Sequence, residues 1–226
     1  MKPLIEAEGL TKTYQHGRST IIACDNVDLV LRAGTLAVIQ GPSGSGKTTL
    51  LNLLTGWEMP DTGRVLWDGK EIRPDELTWG QMAIVPQRLG LYDELTIQEN
   101  VTLPARPHLD PSGKPDVIRH LDLDDVASLR PDQASRGQQQ RAALARALIV
   151  NPRLIVADEP TSAQDEQHAH QLLLLMRQYT DAGGTALVAS HDPIIHEHAS
   201  AVIAMRDGTL FRPVSENTNT LQPASE

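Results

Sequence analysis

Cysteine is nearly missing from this 226-residue chain, with Cys24 as its one example. A single thiol excludes an internal disulfide and a zinc cluster built from cysteines, and it fits a reducing compartment. Aromatic residues are scarce at 3%, and basic residues number 20 against 29 acidic ones, for a formal charge of -9. That balance disfavours non-specific binding to nucleic acid or anionic lipid, because neutralising phosphates requires surplus Lys and Arg. Long hydrophobic runs are also absent. Uninterrupted aliphatic stretches stop at the length of Leu172 to Met176, far short of the roughly 18 residues of a membrane span. The opening Met1-Lys2-Pro3-Leu4-Ile5-Glu6 meets an acidic residue at once and has none of the apolar stretch, about 7 to 15 residues long, of a secretory leader. A cytosolic protein is expected. What the chain does have is 40% hydrophobic and 22% charged residues, ordinary values for one globular core.

Hydrophobic patterning gives the order of elements. Val27 to Leu31 alternates, and Arg64 to Trp67 is a short run closed by Asp68-Gly69, so both are expected as strands, the second ending in a tight turn. Leu36 to Ile39, Leu154 to Ala157 and Ala186 to Ala189 are apolar without alternation, as strands covered on both faces are. Helical stretches are expected at Lys47 to Leu54, Gly137 to Ile149 and Glu166 to Tyr179. Strand and helix alternate, which predicts a parallel α/β sheet. Pro104, Pro107, Pro111 and Pro115 with Gly113 predict a loop between Leu103 and Val117, and the polar tail after Pro213 is expected to be disordered.

Gly41-Pro42-Ser43-Gly44-Ser45-Gly46-Lys47-Thr48 fits G-x-x-x-x-G-K-[ST], directly after an apolar strand and before a helix. Its glycines let successive backbone N–H groups point at phosphate oxygens, and the helix that follows adds its positive end. Lys47 is then placed to reach the β- and γ-phosphates, and the Thr48 hydroxyl to ligate Mg²⁺. Leu154-Ile155-Val156-Ala157 runs into Asp158-Glu159-Pro160, so two carboxylates stand at the carboxyl end of a buried strand, where open α/β sheets place their ligands. Asp158 is the candidate for the metal, and Glu159 for the water that attacks the γ-phosphorus.

With these motifs in place, further segments follow in order, and together residues 4 to 212 resemble the ATP-binding subunit of ABC transporters. Leu10-Thr11-Lys12-Thr13-Tyr14 resembles the aromatic loop that stacks on adenine through Tyr14. Val85-Pro86-Gln87 resembles the glutamine loop, in which Gln87 reaches Mg²⁺ and the water while Arg88 to Thr96 meets the membrane partner. Ser190-His191-Asp192 resembles the switch segment, with His191 at the γ-phosphate or the water. Ala134-Ser135-Arg136-Gly137-Gln138-Gln139-Gln140-Arg141 is similar to the signature L-S-G-G-Q followed by Q-Q-R, and Ser162-Ala163-Gln164-Asp165 to the S-A-L-D loop at the dimer interface.

The resemblance implies a P-loop NTPase core, about 1–87 and 150–212, with a mainly parallel sheet, an antiparallel β subdomain and an inserted α-helical subdomain at about 88–149. It implies ATP and Mg²⁺ as cofactors. Tyr14 and Gly41 to Thr48, with Thr49, bind ATP; Thr48, Gln87 and Asp158 hold the metal; Glu159, His191 and Gln87 serve hydrolysis. Ser135, Arg136, Gly137 and Gln138 would face ATP bound by the opposite subunit, with Asp165 in the dimer loop. The expected partners are a second copy or paired ATPase subunit and a membrane permease docking near Arg88 to Thr96, at the cytoplasmic face of the membrane, with no nucleic acid.

Three residues depart from the pattern. Ala134 replaces Leu, Gln164 replaces Leu, and Arg136 replaces the first glycine of the pair, where it would either add positive charge near ATP or point to solvent. Within the family, Glu99-Asn100-Val101-Thr102-Leu103-Pro104 and Met205-Arg206-Asp207-Gly208 look most like the lipoprotein-release and macrolide-exporter branch. An importer ATPase and a cell-division type of membrane-signalling ATPase stay open as alternatives. His168, His170, His196 and His198 are expected as solvated surface residues that make no metal site, since each pair is two apart. Trp57, Trp67 and Trp79 are expected as core and edge packing.

Overall fold

The computed structural model describes residues 2–71, 77–105, 116–211 and 221–222. Within these, one sheet is built from β3 (Leu36–Gln40), β6 (Met82–Val85), β7 (Leu154–Asp158), β8 (Thr185–Ser190), β9 (Ala201–Arg206) and β10 (Thr209–Phe211), in the order β10-β9-β3-β8-β7-β6. Every pairing but β9 with β10 is parallel. The strands read from unalternating apolar runs are its centre, and strict period-two geometry divides each between two faces. Leu36, Val38, Ile155, Ala157, Ala186 and Val188 belong to one hydrophobic cluster, whereas Ala37, Ile39, Leu154, Val156, Leu187 and Ala189 belong to another. The single core expected from composition is therefore two cores separated by the sheet.

A second, antiparallel sheet joins β1 (Pro3–His16), β2 (Ser19–Arg32), β4 (Thr62–Trp67), β5 (Lys70–Glu71) and β11 (Leu221–Gln222) in the order β11-β2-β1-β4-β5. Only the buried end of β2 was visible in the sequence as Val27 to Leu31. Beyond it β1 and β2 continue as a ribbon whose tip exposes Ile21 and Ile22 at 51% each, so no buried face marks the pattern there. The Asp68-Gly69 turn has the two positive φ angles, 49° and 79°, of a two-residue hairpin between twisted strands. Of the tail expected to be disordered, only residues 221–222 are described, and they pair with the outer edge of β2 at Leu31 and Val30. An edge strand offers unpaired backbone groups, which is reason enough for a short β addition.

The helices are α1 (Lys47–Leu54), α2 (Ile97–Thr102), α3 (Asp116–His120), α4 (Arg136–Leu148) and α5 (Glu166–Asp181). α1 has the bounds read from sequence, α4 is displaced by one residue and α5 runs two further. Between β6 and β7 the described residues form a loop over 86–96, followed by α2, α3, α4 and short 3₁₀ turns. α2 begins in a capping box, with Thr96 Oγ1 accepting from Glu99 N at 3.2 Å and Glu99 Oε2 accepting from Thr96 N at 2.9 Å. The proline-rich loop falls largely outside the described residues, apart from a 3₁₀ turn at Leu103–Ala105 that includes Pro104.

Candidate active site

The loop between β3 and α1 packs against backbone at Gly41 and Gly46, where a side chain would collide. A Cβ on Gly41 would strike the carbonyl oxygen of Met205 and the Ser45 hydroxyl, and one on Gly46 the carbonyl of Ala23. Gly46 also takes φ 105°, which L residues rarely adopt. The loop's shape is held from outside by Gly208 N, which donates to Ser45 O at 3.0 Å. Lys47 Nζ lies along the loop, donating to the Gly41 and Pro42 carbonyls at 2.7 and 3.2 Å.

At the end of β7 the chain turns sharply, and Glu159 holds φ 53° in the left-handed region. A glutamate there is strained, and such strain persists only where neighbours over-determine it. Here Glu159 N donates to Ala189 O at 2.8 Å, and the Glu159 carbonyl accepts from Gln140 Nε2 at 2.6 Å and Ser162 Oγ at 3.0 Å. The side chain is thereby aimed at Lys47 Nζ, 3.8 Å away, and at His191 Nδ1, 2.9 Å from Oε1. Ser190 Oγ donates to the other carboxylate oxygen at 3.4 Å. Asp158 accepts from the Thr48 hydroxyl at 2.6 Å through Oδ2. Burial pushes its carboxyl above the usual range, with Thr48 and Lys47 opposing and Glu159 adding to the effect.

These groups share a cleft of about 520 Å³. Of the residues read from sequence it gathers Tyr14, Pro42, Ser43, Gly44, Gly46, Lys47, Thr48, Thr49, Gln87, Asp158, Glu159 and His191. Gly41 and Ser45 support the loop from behind. Tyr14 donates to Glu58 Oε2 at 2.7 Å and stays 37% exposed at the rim. Ile21, Ala23 and Ser162 also line the cleft; the first two lie on the ribbon whose tip has no burial pattern to betray it. Asp158 Oδ1 is buried and has no hydrogen-bond partner among the described residues. A divalent cation ligated by oxygen fits there, since an orphaned carboxylate oxygen beside a hydroxyl is the donor set Mg²⁺ takes.

Ser135, Gly137, Gln138 and Asp165 are not among the cleft's lining residues. Ser135 caps α4, its Oγ accepting from Gln138 N at 3.2 Å while Gln138 Oε1 accepts from Ser135 N at 2.8 Å. Asp165 caps α5 through His168 N at 2.9 Å, which is the main cause of its lowered pKa. Arg136 stays exposed, and its guanidinium donates to the Gln87 carbonyl at 3.0 Å, bridging α4 to the segment after β6. Gln164 is tied inward as well. Its Nε2 donates to Gly137 O and Gln140 Oε1, both at 3.0 Å, and its Oε1 accepts from Arg141 at 2.9 Å. Where a leucine would pack, a hydrogen-bonded junction joins the start of α4 to the Glu159 turn.

Beside the cleft is a second groove, about 430 Å³, lined by Trp57, Trp79, Pro86, Tyr92, Leu103 and others. Trp57 and Trp79 are exposed at 57% and 44%, so the packing role expected for them applies to Trp67 alone, which is 6% exposed. The segment after Gln87 is pinned by Arg146, which donates to Leu89 and Gly90 carbonyls at 2.8 and 2.7 Å, and by buried Asn100, which bonds both backbone groups of Tyr92. His170 and His198 are not isolated surface residues either: their ring nitrogens stand 3.4 Å apart. The His196 side chain lies outside the described residues.

A family model described as ABC transporter matches residues 24–162. The macrolide export ATP-binding/permease protein MacB of Brucella melitensis is 36% identical over 99% of this chain, which spans only 37% of that protein's length. An uncharacterised ABC transporter ATP-binding protein of Mycobacterium tuberculosis is 34% identical over 99% of this chain and 95% of its own. Among solved structures, an ATP-binding cassette in a dimeric post-hydrolysis state bound to ADP and Pi superposes with a TM-score of 0.84 at 33% identity, covering 92% of this chain and 97% of that one. On sequence, fold and site together, the chain belongs to the ABC transporter family.

Proposed function

We propose that this chain binds ATP with magnesium in the 520 Å³ cleft and hydrolyses it as the ATP-binding subunit of an export or extraction system. The observation behind this reading is that Lys47, Thr48, Gln87, Asp158, Glu159 and His191 converge on one cleft while Ser135 and Gly137 stand outside it. A second copy, docked head to tail, is what would bring Ser135 and the amino end of α4 to the γ-phosphate.

Lys47 in this arrangement exchanges the Gly41 and Pro42 carbonyls for phosphate oxygens, which are stronger acceptors because they are charged. Thr48, Asp158 and Gln87 would hold magnesium, which supplies positive charge to the β- and γ-phosphates. Glu159 accepts the proton of the attacking water, and His191, hydrogen-bonded to Glu159 Oε1, orients that carboxylate and the water beside it. The exposed tryptophan and tyrosine groove next to Gln87 suits an apolar segment of a membrane permease, which would hold the chain at the cytoplasmic face. Among the described residues no helix is long and apolar enough to cross a membrane. Likeness to macrolide export proteins supports outward transport.

Glu159→Gln tests the mechanism. The substitution should lower the ATPase rate by about 10²–10⁴ and leave an ATP-bound dimer stable enough to resolve by size-exclusion chromatography. Turnover at the wild-type rate would remove Glu159 from its assigned role. Gentle solubilisation followed by mass spectrometry should recover an integral membrane protein with the chain; recovery of none would sink the transport reading.

A further inference from the structure

His170 lies in the second turn of α5, and Glu197 and His198 end the 3₁₀ turn Pro193–Glu197 that follows His191. The three side chains offer ligand atoms that all lie within 4.8 Å of one another. His198 Nε2 and His170 Nδ1 are 3.4 Å apart. That is longer than a good N–H hydrogen bond, about 2.7–3.2 Å. It equals the separation of two nitrogens bound to one tetrahedral ion at about 2.0–2.1 Å, which is roughly 3.3–3.4 Å.

The scaffold under these side chains is fixed. Ile195 is fully buried in the core, His198 N donates to Ile195 O at 3.2 Å, and Arg177 of α5 donates to His198 O at 3.3 Å. Asp192 anchors the start of the turn, accepting from Ile194 N and from the Thr161 hydroxyl, each at 3.1 Å. Both imidazoles are half-buried and Glu197 is exposed, so the carboxylate can complete the set by side-chain rotation alone.

We propose that His170, Glu197 and His198 form a binding site for a first-row divalent transition metal of the zinc class, which staples α5 to the turn following His191. Two imidazoles and one carboxylate select zinc, cobalt or nickel over magnesium or calcium, and water fills the fourth position. The site is separate from the nucleotide cleft and uses none of its residues.

The test uses the untagged full chain, stripped of metal and free of nucleotide, titrated with zinc chloride by calorimetry at pH 7.5, with cobalt as a spectroscopic stand-in. One equivalent should bind, with the visible absorption of tetrahedral cobalt, and amide exchange across residues 193–199 should slow on zinc addition. Affinity should fall at least tenfold in both His170→Gln and His198→Gln, with circular dichroism and melting of the metal-free variants unchanged. Zinc affinity equal to wild type in both variants would overturn the site and leave the two rings as a hydrogen-bonded pair.

Discussion

Replacing Gln164 with alanine cuts three hydrogen bonds at one point. Gly137 O and Gln140 Oε1 each lose a donor at 3.0 Å, and Arg141 loses an acceptor at 2.9 Å. A neutral bond contributes about 0.5–1.5 kcal/mol net and one to a charged group about 1.5–3 kcal/mol. Burial already holds the Arg141 pKa below its ordinary value, so its guanidinium is the partner least able to do without an acceptor. Because Gln164 is only half-buried, water replaces part of what is lost, and the expected net destabilisation is about 2–3 kcal/mol. For a domain of this size that lowers Tm by roughly 4–12 °C, readable by calorimetry on the nucleotide-free chain. The junction's other arm, Gln140 Nε2 on the Glu159 carbonyl, predicts coupling: Gln140→Ala and Gln164→Ala should combine with an interaction energy of about 0.5–3 kcal/mol. A Tm change below 1 °C for Gln164→Ala, or strict additivity in the pair, would refute the idea that this network holds α4 to the Glu159 turn.

Asp158→Asn should raise the stability of the nucleotide-free chain while abolishing magnesium-dependent ATP binding. Burial raises the Asp158 pKa from 3.8, so the ionised carboxylate opposes folding at neutral pH. The stability gained by the variant should be full above the raised folded-state pKa and vanish as pH falls below about 4, where the acid is neutral in both states; lower stability than wild type at pH 7 would contradict this. Gly46→Ala should destabilise by more than about 1 kcal/mol and prevent binding of a fluorescent ATP analogue, because the new methyl meets the Ala23 carbonyl at a φ of 105°. Wild-type affinity in that variant would mean that the loop has slack the structure does not show.

Much of this site was legible because its chemistry is contiguous. Gly41 to Thr48 and Asp158-Glu159 each follow a buried apolar strand, and parallel strands bring their carboxyl ends to one edge. Residues whose role depends on another segment were hidden. Arg136 reaches Gln87 across 49 positions, and His198 meets His170 across 28; nothing local in either residue's neighbourhood encodes the partner. Trp57 and Trp79 misled for a related reason. Large apolar residues are usually covered, and only the surrounding groove shows that these are not.

β3, the strand that launches the phosphate loop, pairs among the described residues with β8 and β9, and both are made late in the chain. Met205 and Gly208, at and beyond the end of β9, press on Gly41 and bond Ser45. A ribosome that has released the whole G-x-x-x-x-G-K-T segment has therefore not yet made a phosphate site. About 160 further residues must emerge before the loop acquires its walls, so a nascent or truncated chain ending before Ala201 leaves the glycine-rich loop between β3 and α1 without the backbone that packs against it. Nucleotide can reward folding only at its last stage.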